Sequence, residues 1–297
     1  MKIRIATRKS PLALWQAHRV ADLVAVVDPS VQTEIVSMDT FADLRLDVPI
    51  AELGGKGAFS KEVQSVLLAG AADIAVHSAK DLQAVTPDAL TIAAVPERGD
   101  RRDALVGCFL ADLPNGATVA TGSNRRRVQL AHLRPDVEFV GLRGNIGTRL
   151  SKLAGFDALL MAQAALDRLE LELDTVDVIA ADVMVPQVGQ GALAIECRSD
   201  AADLIELLAE VEHPATRREL DAERGFLLEL GGDCDLPAGA HATVDADGGI
   251  ELTAVLSSAD ETRLERVTIT ASDVAGGDRN DESIGRAAAR ELVDRLA

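Results

Sequence analysis

Through residues 2–197, short apolar runs alternate with helix starts. Lys2 to Ala6 alternates in polarity and reads as a strand, with Thr7-Arg8-Lys9-Ser10 as the turn after it. Ser10 followed by Pro11 is a helix start, because the hydroxyl can cap free N–H groups and proline suits the first helical position. That helix is predicted to reach Val27, with Leu12, Trp15, Val20, Leu23 and Val27 facing inward. Val31 to Met38, Ile74 to Val76 and Leu90 to Val95 read as further strands, and Ser60 to Leu68 as a helix. Strands that alternate with helices predict a parallel, doubly wound α/β sheet.

A second unit of the same order begins near Arg98. Its predicted strands are Val106 to Leu110, Ala117 to Ala120, Val137 to Leu142 and Ala158 to Met161, with helices starting near Ser123, Asn145 and Ala162. Pro186 and Gly189-Gln190-Gly191 mark a return crossing, after which Ala192 to Cys197 is predicted to rejoin the first sheet. Ligands of open α/β sheets bind beyond the carboxyl ends of strands. A cleft between the two units would then be lined by Thr7 to Ser10, Ser78 to Asp81, Thr121 to Arg127 and Arg143 to Arg149. Beyond it, helices at Leu204 to Val211 and Pro214 to Leu230 lead to three strands (Ala240 to Val244, Ile250 to Val255, Thr262 to Thr270) and a closing helix, Ser283 to Leu296. The boundaries expected are residues 1–96 with 190–210, residues 97–189, and residues 211–297.

The net charge of −18 and pI near 4.7 disfavour binding to nucleic acid or anionic membranes. Lysine is scarce beside arginine and Tyr is absent, a solvation pattern that resembles proteins of salt-loving cells. The three cysteines and five histidines show no metal-ligand spacing, so no metal is expected. The N-terminus opens directly into a strand without a signal peptide, and no apolar run approaches the ~20 residues of a membrane span. The expectation is a cytoplasmic protein without structural disulfides.

Against that acidic background, arginines gather at predicted strand ends and helix starts: Arg8, Arg125-Arg126-Arg127, Arg143 and Arg149, with Arg168 ending a helix. Guanidinium groups bind carboxylates as two-pronged forks. No aromatic residues are interleaved for base stacking, so the pattern favours a small ligand rich in carboxylates or phosphates. Asp81, after Ser78-Ala79-Lys80, reads either as a catalytic carboxylate or as a local partner of Lys80. Cys234, in Gly231-Gly232-Asp233-Cys234-Asp235-Leu236-Pro237-Ala238-Gly239, reads either as a turn cysteine or as an attachment point or nucleophile. Cys108 and Cys197 fall in strand-like apolar runs. Gly54-Gly55-Lys56-Gly57 lacks P-loop spacing and reads as a mobile or ligand-approaching loop.

Taken together, these blocks resemble the porphobilinogen deaminase (hydroxymethylbilane synthase) family. The resembling stretches are Arg4-Ile5-Ala6-Thr7-Arg8-Lys9-Ser10-Pro11-Leu12-Ala13-Leu14-Trp15-Gln16-Ala17, the Gly54 to Gly57 loop and Ala72-Asp73-Ile74-Ala75-Val76-His77-Ser78-Ala79-Lys80-Asp81. Leu142-Arg143-Gly144-Asn145-Ile146-Gly147-Thr148-Arg149-Leu150, Val188-Gly189-Gln190-Gly191-Ala192 and the Cys234 loop complete the set. The resemblance spans essentially the whole chain. It implies two domains of the type II periplasmic-binding-protein fold with a cleft between them, and a small third α/β domain with a three-stranded sheet. It implies one covalent dipyrromethane cofactor per chain, attached at Cys234 and serving as a primer. Four porphobilinogens would be added head to tail with loss of ammonia, and hydroxymethylbilane released by water.

The roles the resemblance implies fall into three groups. Asp81 is the catalytic carboxylate. Ser10, Lys80, Asp81, Thr121, Ser123, Arg125, Arg126, Arg143 and Gly144 hold the cofactor. Arg8, Ser10, Arg149, Arg168 and Gln190 hold substrate, and Lys56 and Phe59 belong to a mobile loop over the site. The expected partner is porphobilinogen alone, with the chain a monomer. The chain departs from the family pattern at Asp233 (usually glycine), Gln83 (often proline), the Thr121-Gly122-Ser123-Asn124 run and the extra cation Arg127. Asp233 beside Cys234 puts the usual conformation of the anchoring loop in question. The reading of another class is a non-catalytic two-lobed binding protein for a polycarboxylate, which leaves Cys234 and Asp81 without a task. A thiol hydrolase lacks an obvious histidine partner for Cys234.

Overall fold

The computed structural model describes residues 1–40, 60–231, 236–274 and 280–297. The elements run β1 (Lys2–Arg8), α1 (Pro11–Val27), β2 (Gln32–Met38), α2 (Lys61–Leu68), β3 (Ile74–Ser78), β4 (Leu90–Ala94), β5 (Asp103–Val106), β6 (Thr118–Ala120), α3 (Asn124–Leu133), β7 (Glu138–Val140) and α4 (Ile146–Leu150). They continue with β8 (Ala158–Ala162), α5 (Gln163–Arg168), β9 (Val176–Ile179), β10 (Leu193–Arg198), α6 (Ala202–Ala209), α7 (Pro214–Leu230), β11 (Ala238–Val244), β12 (Ile250–Ser257), β13 (Leu264–Thr270) and α8 (Asp281–Leu296). The chain divides into two compact units, Met1–Gly99 with Ala192–Arg217, and Asp100–Gly191 with Arg218–Ala297.

In the first unit the sheet order is β2-β1-β3-β10-β4. β1 lies parallel to β2 and β3, but β10 runs antiparallel to β3 and β4, so the sheet is mixed where a parallel one was predicted. The prediction holds for consecutive strand–helix–strand crossovers. β10 arrives late, pairs Leu193 with Ser78 at the carboxyl end of β3, and runs back along it. Ile3, Ile5, Ile74, Val76 and Ile195 are fully or nearly fully buried in this sheet.

Ser10 caps α1 as predicted, its Oγ accepting from the Ala13 N–H at 3.3 Å. The buried face of α1 differs from the expected one. It is Ala13, Gln16, Ala17, Val20, Ala21 and Val24, so of the five positions predicted to face inward only Val20 is fully buried. Alanines at helical spacing let the helix approach the sheet closely, and the larger Leu12 and Trp15 lie at its margin.

The second unit repeats the plan with order β7-β6-β8-β5-β9, where β6 is parallel to β7 and β8, and β5 antiparallel to β8 and β9. Two differences from expectation stand out. β9 was not foreseen, since Val176-Asp177-Val178-Ile179 is short and holds an acid. β5 starts at Asp103, before the predicted Val106, and Cys108 lies beyond its end rather than within it. An aspartate is a poor strand opener unless tertiary contacts hold it there.

The same unit contains a separate antiparallel sheet, β11-β12-β13, covered by α7 and α8. Phe226, Leu252, Ala254, Ile284, Ala288 and Leu292 form its core. The two helices touch backbone to backbone at glycines. An ideal Cβ on Gly285 would lie 1.9 Å from Ala222 O, and one on Gly225 would lie 2.1 Å from Glu282 O. Gly285→Ala is therefore expected to lower stability by about 1–3 kcal/mol, the usual range for overpacking, read as a drop in thermal midpoint. An unchanged midpoint would show that the helices can part without cost.

Candidate active site

The first unit's polar residues meet at the carboxyl ends of β1 and β3. β1 extends two residues further than predicted, so Thr7 and Arg8 are strand residues, in register with Ser37 and Met38 of β2. β3 ends at Ser78, and Ala79–Asp81 forms one turn of 3₁₀ helix. Ala79 N–H donates to Ala192 O at 3.0 Å, which ties this turn to the approach to β10. A small pocket opens there, lined among others by Thr7, Arg8, Ser10, Gln16, His77, Ser78 and Asp81. Arg8 Nη1 lies 3.9 Å from Asp81 Oδ2, and both side chains are partly exposed. At that distance the guanidinium attracts the carboxylate without a direct hydrogen bond, leaving carboxylate oxygen positions for a ligand. Lys80 is half-buried on the same turn and does not line the pocket.

Sequence reasoning placed Ser78 on the cleft lining and missed Gln16 and His77 here. Gln16 is 2% exposed and donates from Nε2 to Ser78 Oγ at 2.8 Å. A glutamine on the buried stripe of an amphipathic helix was the available signal.

The second unit's cations form two sets. In the first, Thr121 Oγ1 accepts from Ser123 N–H at 3.2 Å, and Ser123 caps α3 by accepting from Arg126 N–H at 3.5 Å. Arg125 and Arg126 turn inward onto Asp103, which is fully buried. Arg125 donates to both of its oxygens at 2.6 and 3.1 Å, Arg126 Nε at 2.8 Å, and Gln190 Nε2 at 2.8 Å. Arg126 also donates to Leu160 O and Gln190 Oε1, and Arg125 to Val185 O. Burial alone would raise the pKa of Asp103, but the charges of Arg125 and Arg126 outweigh it and hold the carboxyl far below the usual range. Burial also lowers the pKa of Arg126, partly offset by Asp103. Two guanidiniums share one carboxylate, so the cluster keeps one positive charge in excess. Sequence reasoning listed Arg125, Arg126 and Gln190 as ligand contacts and missed Asp103, the internal partner they share.

In the second set, Arg143 is half-buried just after β7. Gly144 follows with φ +121°, where an added Cβ would also lie 2.8 Å from Thr148 Cγ2, so glycine is required there. Asn145 caps α4, accepting from Thr148 N–H at 2.9 Å, and Arg149 Nε donates back to Gly144 O at 2.7 Å. Arg168 at the end of α5 donates to Gly191 O at 2.6 Å, and burial pulls its pKa down to about 10. Arg127 stands apart from both sets and pairs with Glu261 in the β12–β13 turn. Gly122 is also accounted for, since an ideal Cβ there would lie 2.7 Å from Leu142 O.

Cys234, Asp233, Lys56 and Phe59 lie outside the described residues. The described end of the cysteine loop reaches Gly239, where an ideal Cβ would lie 2.7 Å from Pro186 O and 2.9 Å from Arg125 Cδ. The loop's carboxyl flank therefore abuts the Arg125 side of the buried cluster. Of the other cysteines, Cys197 is fully buried, and burial with the neighbouring Glu196 pushes its thiol up to about 11. Among the described residues no cluster of His, Cys, Asp and Glu is arranged to hold a metal, and no helix is long and apolar enough to cross a membrane.

Two family models match. "Porphobilinogen deaminase, dipyromethane cofactor binding domain" covers residues 3–206, and "Porphobilinogen deaminase, C-terminal domain" covers residues 218–294. Among its relatives, the porphobilinogen deaminase of Nitratidesulfovibrio vulgaris (strain DSM 19637 / Miyazaki F) is 44% identical over 297 residues, covering 98% of this chain and 93% of that one. Similar solved structures include the BenM effector binding domain with benzoate, at 14% identity and TM-score 0.43 over 71% of this chain and 90% of that one. The periplasmic VFT2 domain of Bordetella pertussis BvgS matches at 14% identity and TM-score 0.39, over 71% of this chain and 86% of that one.

Proposed function

Since the chain belongs to the porphobilinogen deaminase family, we propose that the residues around Asp81 and the two arginine sets of the second unit serve one polymerisation. The reaction is that of a transferase in tetrapyrrole synthesis. It joins four porphobilinogen molecules head to tail on a covalent dipyrromethane, releases an ammonia at each addition, and ends by hydrolysis to hydroxymethylbilane. The non-catalytic two-lobed binding protein is not favoured. We further read the chain as three functional domains, residues 1–96 with 190–210, 97–189 and 211–297, acting as a cytoplasmic monomer. Its acidic surface suits a salt-rich interior.

The residues fit the cofactor. A dipyrromethane carries acetate and propionate groups, and the excess positive charge around Asp103 would attract one of them. The cysteine loop's flank lies against Arg125, which suits an anchor at Cys234. Thr121, Ser123, Arg143 and Gly144 would complete its hold, with Ser10 and Lys80 from the first unit. When bound, the dipyrromethane supplies the carbon nucleophile on which the chain grows.

Arg8, Arg149 and Arg168, with Ser10 and Gln190, would take the carboxylates of porphobilinogen and orient it. Loss of ammonia leaves positive charge on the incoming pyrrole and its methylene carbon. Asp81 would accept a hydrogen bond from the pyrrole N–H and hold that charge as it develops. Arg8 stands beside Asp81 on the same pocket wall, 3.9 Å away. Lys56 and Phe59 would close over the site.

The observation that carries this reading is Asp81 on the pocket wall, 3.9 Å from Arg8. Incubation of the purified protein with porphobilinogen tests it. The expected result is four ammonia released for each bilane. Tight binding of porphobilinogen with no ammonia would return the chain to the binding-protein class.

A further inference from the structure

Behind the pocket, three buried polar side chains from three elements converge, and the mechanism above uses none of them. Glu196 of β10 is fully buried, and His77 of β3 and Gln64 of α2 are each 5% exposed. His77 Nε2 lies 3.0 Å from Glu196 Oε2, and Gln64 Nε2 donates to both carboxylate oxygens at 3.1 and 3.0 Å. The elements that carry them are otherwise apolar: Ala75, opposite Glu196, packs with Val63 and Leu67 on one face of the sheet, and Ile74, Val76, Ile195 and Cys197 pack on the other. Enclosing a carboxylate in such a place costs several kcal/mol even when it is paired, and an apolar side chain of similar volume is often as stable. Stability is therefore a poor account of Glu196.

Charge provides a better one. His77 reaches through to line the pocket beside Arg8 and Asp81. Among the described residues that line the pocket, Arg8 and Asp81 are opposite charges 3.9 Å apart, and their charges offset each other. A site that must favour a cation at the moment ammonia departs needs an excess of negative charge. An enclosed carboxylate acts over longer distances than an exposed one, because little water screens it.

Resting on the deaminase reading, we propose that Glu196 is a positioning residue which, through His77, sets the charge of the pocket wall against which the positive charge of the substrate develops. Gln64 fixes the carboxylate, and the register of β10 on β3 (Glu196 opposite Ala75, Ala194 opposite His77) fixes its height behind the pocket. Glu196 touches no substrate. It acts on the transition state more than on the bound ground state, so its removal should appear in kcat.

The experiment compares wild type, Glu196→Gln, His77→Gln and the double variant, each carrying its primer. Steady-state kcat and KM are measured, together with porphobilinogen affinity from the fluorescence of Trp15, the chain's single tryptophan, one residue before the pocket-lining Gln16. Glu196→Gln keeps the shape of the side chain. It is expected to lower kcat about 10- to 100-fold, with KM, affinity and thermal midpoint held. His77→Gln is expected to do the same, and the double variant to be no slower than the slower single, because both act through one contact. Wild-type kcat in either single variant, additive losses in the double, or losses that follow a lowered thermal midpoint would each overturn the proposal. A wild-type protein that releases no ammonia would instead overturn the deaminase reading itself.

Discussion

Asp81→Asn is expected to lower kcat at least about 100-fold, with porphobilinogen binding nearly intact and the protein folded. The size follows from sign as much as from lost attraction. Arg8 lies 3.9 Å from the carboxylate. With asparagine in its place, the pocket wall loses a negative charge and keeps the guanidinium of Arg8, so it no longer favours a cation. Asparagine still fills the same space on the Ala79–Asp81 turn, whose own bond, Leu82 N–H to Ala79 O at 3.2 Å, does not involve the carboxylate. The thermal midpoint should therefore stay put. Turnover within a few-fold of wild type would remove Asp81 from the chemistry, and a rise in KM with kcat unchanged would make it a binding residue only.

Cys234→Ala is expected to abolish activity by removing the primer's anchor. The direct measurement is the mass of the intact denatured protein. Wild type should exceed its sequence mass by two deaminated porphobilinogen units, and Cys234→Ala should match its sequence mass. The other two cysteines are placed elsewhere in the fold. Cys197 is fully buried with its thiol pushed up to about 11, and Cys108 is half-buried after β5 with its Sγ donating to Phe109 O at 3.3 Å. Active wild type of unmodified mass, or a variant still carrying the excess mass, would overturn the assignment of the cofactor to this position.

The site was legible in the sequence where chemistry and local structure coincide. Asp81, Arg8 and Ser10 stand at strand ends and a helix cap, positions that punctuation such as Ser10-Pro11 marks directly. Gly144 entered only through the family resemblance, and its left-handed φ of +121° was decided by the structure. The site was illegible where a side chain's partner comes from far along the chain. Arg125, Arg126 and Arg127 are adjacent and alike in sequence, yet two of them bury themselves on Asp103 and the third pairs with Glu261. Nothing local separates them. Helical spacing points them in different directions, and only the packed neighbours supply the carboxylates. Glu196 was hidden in an apolar strand run for the same reason, since His77 lies more than a hundred residues earlier.

The order of strands and helices apart from β9, the Ser10 cap, the helix from Pro214 to Leu230 and the blocks that mark the family were set by the sequence alone. Each depends on interactions among residues a few positions apart, which periodicity and capping rules describe. Tertiary structure alone decided the reversed direction of β5 and β10, the alanine face of α1, the glycine contact of α7 with α8, and the placing of Asp103 and Glu196 as buried charges. These depend on which distant surfaces meet. A strand's direction follows from where the chain returns, and an ion survives burial only where the fold brings it a partner.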